Sequence, residues 1–249
     1  MNPITRREMI LGLSAMGGAT MIGAPTALAH YNPRKLKKAA MTTDGGQRVE
    51  ATFADLDDTP APAVLLVHEK WGLTGGARWL ASEFGRQGFL AIAVDLYEGE
   101  IIDDETKASG RMAALDPERT LDLLTSWTRW LKANFLCTGK VGIVGWGHGA
   151  HWALASAARE PVDAAVVYYP EGQTRLAAGQ QPQGPVMAHF PASELPAFDQ
   201  SLLGGKPIVY DYPAKTGFAD AFRSNFDDRA DRLSWKRSLT FLREHLPRK

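Results

Sequence analysis

The chain has 249 residues, of which 45% are apolar, and its 28 lysines and arginines balance 28 aspartates and glutamates. This apolar content predicts a globular domain with a sizeable core and argues against a disordered chain. The near-neutral charge argues against nucleic acid or an anionic membrane surface as a partner, because both require a basic face. The chain has a single cysteine, Cys137, so no disulfide can form within it.

The first 29 residues have the order of regions that is typical of an export signal. A polar, net basic start is followed by a Gly- and Ala-rich apolar stretch over 9–24 and by a small-residue motif at 27–29. This order predicts a cleaved signal peptide over 1–29 and no stable membrane anchor. The adjacent Arg6 and Arg7 favour the twin-arginine type, with an ordinary secretion signal as the alternative. We therefore expect a periplasmic or secreted protein.

Beyond the signal, strand patterns alternate with helix patterns. Residues 30–47 are largely basic and polar and predict a surface extension ahead of a domain over 48–249. The alternation from Arg48 to Ala54 predicts an edge strand. Continuous apolar runs, typical of strands buried on both faces, lie at 63–67, 90–94, 141–144, 164–168, 186–190 and 208–210. Helical patterns lie at 77–87, 118–135 and 228–246.

This alternation predicts one α/β domain with a mostly parallel central sheet and helices on both faces. Active sites in such sheets lie in the crevice at the carboxyl ends of the strands. The Gln-, Gly- and Pro-rich segment 172–184 predicts a loop near that crevice. We find no internal repeat and no cofactor fingerprint, so the sequence predicts no cofactor.

The segment Gly145-Trp146-Gly147-His148-Gly149 follows the strand at 141–144 and opens a helix. Glycines two residues before and two after a central residue mark the nucleophile elbow of α/β-hydrolases. The central residue is normally the nucleophile, but here it is Gly147, which has no side chain. A Gly-rich turn of the dinucleotide-binding kind is the alternative, although the spacing of the glycines does not match that fingerprint.

Three further segments occur in the order found in one known family. They read Val-His-Glu-Lys-Trp-Gly-Leu at 67–73, Gly-Phe-Leu-Ala-Ile-Ala-Val-Asp-Leu-Tyr at 88–97 and Ser-Asn-Phe-Asp-Asp at 224–228. With the elbow, they make the chain resemble the dienelactone hydrolase family over residues 48–246. The resemblance implies the α/β-hydrolase fold and a small ester or lactone as substrate.

Members of that family use a Cys-His-Asp triad and a glutamate that activates the thiol. By this resemblance, Glu69 matches the activating glutamate and Gly147 matches the nucleophile. Glu194 matches the triad aspartate and Thr216 matches the triad histidine. Asp220 matches an arginine that helps to bind the substrate carboxylate. Of the activator and the triad, only the activator Glu69 is retained.

Loss of the nucleophile and of the base removes the route through a covalent acyl-enzyme. Thr216 cannot act as a general base at ordinary pH, because its hydroxyl does not usefully accept a proton. The expected oxyanion donors, the backbone N–H groups of Lys70 and His148, depend on no side chain. The sequence thus favours a non-catalytic or strongly impaired homologue that keeps the pocket. The alternative is a hydrolase in which Glu69 activates water without a covalent intermediate.

Other candidate residues carry weaker signals. Cys137 precedes the elbow strand, at the end of the sheet opposite the crevice, which favours a structural role. His148 and His151 lie one turn apart and, with Glu69, could hold a metal, but this spacing is no strong metal signature and we predict no metal site. His30 would start the mature chain and could chelate copper, but no second histidine is defined for it.

Glu69 itself has two interpretations, a carboxylate base that acts on water or a structural residue that bonds the turn in which it lies. Several aromatic residues fall near the predicted strand ends. They could line an apolar pocket, although core packing explains most of them. These residues are Trp71, Trp146, Trp152, Tyr168 and Tyr169.

Overall fold

The computed structural model describes residues 35–172 and 174–248. The predicted signal peptide and His30 lie outside the described residues. The strands within these ranges are β1 Leu36–Thr42, β2 Arg48–Ala54, β3 Ala61–Val67, β4 Leu90–Val94, β5 Cys137–Trp146, β6 Ala164–Tyr168, β7 Val186–Pro191 and β8 Ile208–Tyr212. The α-helices are α1 Gly75–Arg86, α2 Glu105–Ala113, α3 Pro117–Ala133, α4 His148–Arg159 and α5 Asp228–His245. Two short 3₁₀ helices lie at Leu195–Ala197 and Gln200–Leu203.

The eight strands form one sheet in the order β1-β2-β4-β3-β5-β6-β7-β8. β2 pairs antiparallel with β1 and with β4, and every other neighbouring pair is parallel. The elbow strand β5 lies mid-sheet between β3 and β6, with Val67 opposite Gly145 and Trp146 opposite Tyr168. This register brings the carboxyl ends of three strands to one place. The prediction of a mostly parallel α/β sheet is confirmed.

Helices cover both faces of the sheet. α1 and α5 pack in one apolar cluster, which includes Phe84 and Leu242. α3 and α4 pack in the other, which includes Trp127 and Trp152. All residues of β3 are buried, because helices cover it on both sides. In the described residues, no helix is both long and apolar enough to cross a bilayer.

The three predicted helices are confirmed to within two residues at each end. Side-chain caps explain where two of them begin. Asp116 accepts a hydrogen bond from the N–H of Arg119, and Pro117 occupies the first turn of α3, where its missing N–H costs nothing. Asp227 caps α5 in the same way, through the N–H of Ala230.

The N-terminal part of the domain differs from the prediction. Residues 36–42, predicted as surface extension, form β1 and pair along their whole length with β2. β2 is therefore not an edge strand. The outer position of β1 leaves its side chains mostly exposed, so it has little apolar signal. Helix α2 was not predicted for the same reason, because Ala108 is its one buried residue.

Candidate active site

The elbow lies where β5 passes into α4. Gly147 has φ 53° and ψ −120°, and α4 begins at the next residue, His148. The N–H of Gly147 donates to the carbonyl of Tyr168 at 2.9 Å, and its carbonyl accepts from the N–H of Ala150 at 3.1 Å. The apex is therefore held by backbone hydrogen bonds to β6 and to the first turn of α4.

The three glycines of the elbow are there for different reasons. A Cβ on Gly145 would overlap the backbone of Gly149, and a Cβ on Gly149 would overlap the carbonyl oxygens of Val67 and His68. A Cβ on Gly147 would meet nothing nearer than 3.6 Å, an ordinary van der Waals distance. The flanking glycines are thus required by packing. The apical glycine is not, although its positive φ is costly for other residues.

Two carboxyl groups face the apex. The position of a Cβ on Gly147 lies 3.6 Å from Oε2 of Glu171, and 3.6 Å and 3.7 Å from Cγ and Cδ of Glu69. Glu69 follows β3 and Glu171 follows β6, so the two come from opposite sides of β5. The N–H of Glu171 donates to the carbonyl of Gly147 at 3.1 Å, which fixes its backbone against the elbow.

Glu69 is held by a hydrogen bond from outside its own turn. The hydroxyl of Tyr169 donates to Oε1 of Glu69 at 2.7 Å. Burial, reinforced by the charges of Asp220 and Glu171, raises the pKa of Glu69 to about 8, against the opposing effects of Tyr169 and Lys70. Glu69 therefore carries a proton at neutral pH. This argues against its interpretation as a carboxylate base there, and its partner is Tyr169 rather than the turn.

The free energy of unfolding should reflect this proton. A carboxyl whose pKa is raised on folding contributes stability that is fully present below the unfolded pKa, here 4.5, and is lost as the pH rises through about 8. We expect the stability of Glu69→Gln, which mimics the protonated form, to exceed that of the parent by about 1 kcal/mol at pH 5 and by roughly 5 kcal/mol at pH 9. Urea unfolding at both pH values measures the difference. Exposed Glu244→Gln is the control, and equal pH dependence in all three proteins would contradict the assignment.

Lys70 holds the second carboxyl. Its Nζ donates to Oε1 of Glu171 and to Oε1 of Glu105, both at 2.7 Å. Burial opposes the charge of Lys70, but these two hydrogen bonds outweigh it and raise the pKa. Glu171 therefore stands beside the apex as an ion-paired carboxylate, while Glu69 stands there as an acid.

The two expected oxyanion donors also lie beside the apex. His148 is the first residue of α4, so its N–H has no carbonyl partner within the helix. Lys70 is the second residue of a turn closed by a hydrogen bond from the N–H of Gly72 to the carbonyl of Glu69, at 3.2 Å. In such a turn the N–H of the second residue is not used.

The positions that match the triad acid and base contact each other. The hydroxyl of Thr216 donates to Oε1 of Glu194, and the side chain of Asn225 donates to the carbonyl of Thr216 at 3.1 Å. Phe218, two residues further on, packs against Tyr169, with ring centroids 5.1 Å apart. Thr216 therefore has a carboxyl partner, but position 216 carries no imidazole that could transfer a proton.

A small crevice of about 50 Å³ adjoins Glu69. Its apolar wall combines aliphatic and aromatic side chains, and two acidic residues also line it. We call it the Trp crevice, and the residues that define it are Glu69, Trp71, Trp79, Trp146, Asp220 and Phe222. Of the aromatic residues singled out from the sequence, Trp71 and Trp146 line it. The other three, Trp152, Tyr168 and Tyr169, are buried in the core.

The histidines of α4 are neutral. Nε1–H of Trp152 donates to Nε2 of His148 at 3.0 Å, so the ring proton of neutral His148 is on Nδ1. Burial, with a further effect from Arg175, lowers the pKa of His148 to about 3 and that of His151 to about 4. Among residues 35–172 and 174–248, no group of three His, Cys, Asp or Glu side chains is placed to hold a metal ion.

Cys137 lies at the start of β5, at the far end of the strand from the elbow. Burial raises the pKa of its thiol, although hydrogen bonds, including one from the N–H of Gly139 at 3.3 Å, oppose this. A buried thiol with a raised pKa is a poor nucleophile.

Sequence reasoning missed Glu171 and the role of Tyr169. Tyr169 is the first and Glu171 the third residue after β6, and β6 is the neighbour of the elbow strand. The usable signal is therefore positional. Polar residues just beyond the carboxyl end of a strand next to the elbow are candidates for the site.

An elbow at the carboxyl end of a mid-sheet strand, with helices on both faces, defines the α/β-hydrolase fold. Residues 49–246 match the model of the dienelactone hydrolase family, so the chain belongs to that family.

A curated relative agrees with this assignment, and solved structures agree with the fold. The chain is 28% identical over 202 residues to carboxymethylenebutenolidase of Pseudomonas putida, covering 74% of this chain and 86% of that protein. The dienelactone hydrolase of Anabaena variabilis has a TM-score of 0.61 at 18% identity, over 86% of this chain and all of that one. A dienelactone hydrolase-like promiscuous phosphotriesterase from metagenomic libraries has a TM-score of 0.68 at 20% identity, over the same shares.

Proposed function

We propose that this hydrolase-family chain binds a small neutral ester or lactone at the elbow and forms no acyl-enzyme, so that any turnover is strongly impaired. The observation that carries this proposal is the bare apex at Gly147, where a Cβ would fit without overlap. Thr216, at the position of the triad histidine, is bonded to Glu194 and provides no base. The signal pattern over 1–29 supports a site of action in the periplasm or outside the cell.

The charges of the site support a neutral ligand. The acidic residues that line the Trp crevice within the described chain are Glu69, which is neutral while it holds its proton, and Asp220. A ligand carboxylate would be repelled by Asp220, whereas a carbonyl can accept hydrogen bonds from the N–H groups of Lys70 and His148. The aromatic residues of the wall suit the apolar part of such a ligand.

Two isomers test this choice of ligand, because methyl benzoate is neutral and phenylacetate is an anion of the same size. We expect methyl benzoate to quench tryptophan fluorescence at a concentration at least about tenfold lower than phenylacetate, equivalent to 1.4 kcal/mol. Asp220→Asn should reduce the ratio of the phenylacetate concentration to the methyl benzoate concentration that gives the same quenching. Asp211→Asn, at an exposed position, should leave that ratio unchanged. Failure of methyl benzoate to bind would refute the proposed function.

Mass spectrometry tests the missing acyl-enzyme. After mixing with p-nitrophenyl acetate, the intact protein should carry no acetyl adduct, and product release should show no burst. A stoichiometric burst with an adduct on one residue would mean that another side chain acts as nucleophile.

The alternative, in which Glu69 is a base that activates water, requires its carboxylate form. Because its pKa is about 8, that form predominates only at more alkaline pH. The raised pKa of Glu69 therefore argues against this alternative at neutral pH.

A further inference from the structure

The apex of the elbow is flanked by two carboxyl groups in different environments. Glu69 is bonded by Tyr169, and Glu171 is ion-paired with Lys70. Neither group depends on the lost triad. Such a difference in environment is what assigns acid and base roles to paired carboxyls in hydrolytic enzymes.

From this geometry we infer that Glu171 and Glu69 act as general base and general acid in a slow, direct hydrolysis of the bound ester by water. The inference rests on the proposed binding of a neutral ester at the elbow. In this inference Glu171 is a general base that the family triad does not contain. Glu69 donates a proton, whereas in the alternative above it would accept one from water.

The space left by the missing side chain suits a water molecule. The Cβ position of Gly147 lies 3.6 Å from Oε2 of Glu171. A water oxygen in van der Waals contact with the Cα of Gly147 can lie on the Glu171 side of this position, within hydrogen-bond distance of Oε2. It would then lie where the family places its nucleophile, beside the N–H of His148, facing a carbonyl bound at the elbow.

The reaction needs no reactant other than the ester and water. The water oxygen bonds to the ester carbonyl carbon while its proton passes to Glu171, and the carbonyl electron pair moves onto the oxygen. The N–H groups of Lys70 and His148 stabilise this oxyanion. When the intermediate collapses, the bond to the leaving oxygen breaks and Glu69 gives that oxygen its proton. Acid and alcohol leave, and the proton on Glu171 returns to Glu69 through solvent.

The environments of Glu69 and Glu171 differ in a way that suits the acid role of the first and the base role of the second. The pKa of Glu69 is about 8 because of burial first and the charges of Asp220 and Glu171 next, so it holds its proton at neutral pH. Lys70 donates a hydrogen bond to Oε1 of Glu171 at 2.7 Å, which leaves Oε2 facing the apex. Glu105 is the second partner of Lys70, at the same distance, and is not among the nearest atoms to the apex.

Two esters separate the roles of the carboxyls. Ethyl acetate has a poor leaving group that needs a proton, whereas p-nitrophenyl acetate does not. We expect Glu171→Gln to lower kcat about 100-fold or more on both esters. Glu69→Gln should lower kcat strongly on ethyl acetate and much less on p-nitrophenyl acetate. Glu105→Gln, the matched control, should stay within about threefold of the parent, since it changes Lys70 without changing the apex.

The pH dependence of the hydrolysis rate distinguishes a proton donor from a residue with only a structural role. After subtraction of the buffer rate, hydrolysis of ethyl acetate should fall above about pH 8, as Glu69 loses its proton. A rate that instead rises through pH 8, is lost in Glu69→Gln and is unchanged in Glu171→Gln would overturn the assignment. Binding of methyl benzoate without turnover of either ester would refute this inference alone, whereas absence of binding would refute the proposed function as well.

Discussion

Replacing Gly147 by Cys and Thr216 by His together is expected to produce thiol-dependent esterase activity. The added Cβ fits at the apex, 3.6 Å from its nearest neighbours. The carboxyl of Glu194 already contacts the side chain at position 216 and can orient an imidazole there. Because loss of triad members costs about 10⁴ to 10⁶ in rate, we expect the rate on p-nitrophenyl acetate to rise at least about 100-fold.

The matched control for this gain is Gly147→Ala with Thr216→His, which has the same backbone strain and no thiol. Iodoacetamide should abolish the new activity, and it should leave the parent protein, whose Cys137 is buried, unaffected. A rate equal to that of the control, in a double variant that unfolds at the same temperature as the control, would show that the loop carrying position 216 no longer reaches the apex.

Gly149→Ala is expected to unfold the protein or to destabilise it by more than about 4 kcal/mol. Its Cβ would overlap the backbone carbonyls of Val67 and His68, and backbone atoms inside a sheet-helix contact cannot move aside cheaply. Gly147→Ala, two residues away, should cost only about 1–2 kcal/mol, because its strain is conformational rather than steric.

Thermal unfolding distinguishes these two variants. Gly147→Ala should lower Tm by about 2–8 °C, whereas Gly149→Ala should give little soluble protein or a far lower Tm. Equal Tm values for the two variants would contradict the argument that packing requires the flanking glycines and does not require the apical one.

The sheet could be predicted from the sequence because its central strands are buried on both faces, as the apolar run at 63–67 illustrates. β1 could not, since its outer position leaves Lys37 and Lys38 exposed and gives no alternating pattern. The caps at Asp116 and Asp227 are local, and helix boundaries set by them agreed closely with the prediction.

The site was only partly predictable, because some of its contacts join residues that are far apart along the chain. The elbow at 145–149 and Glu69 are read from local motifs. The contact of Glu171 with the apex depends on the register between β5 and β6, which no local pattern encodes. The proton on Glu69 depends on burial and on Asp220, some 150 residues away along the chain. Such long-range electrostatic effects become visible only when the strand ends are assembled.

The hydrogen bond from Trp152 to His148 has a consequence for the field at the start of α4. It fixes the tautomer of the neutral His148 ring, and His151, one turn further on, is also neutral at physiological pH because its pKa is lowered to about 4. The aligned peptide dipoles of α4 therefore act on an incoming oxygen without any added charge from these two rings. The contribution of these two histidines to the potential at the elbow therefore does not change with pH over the physiological range.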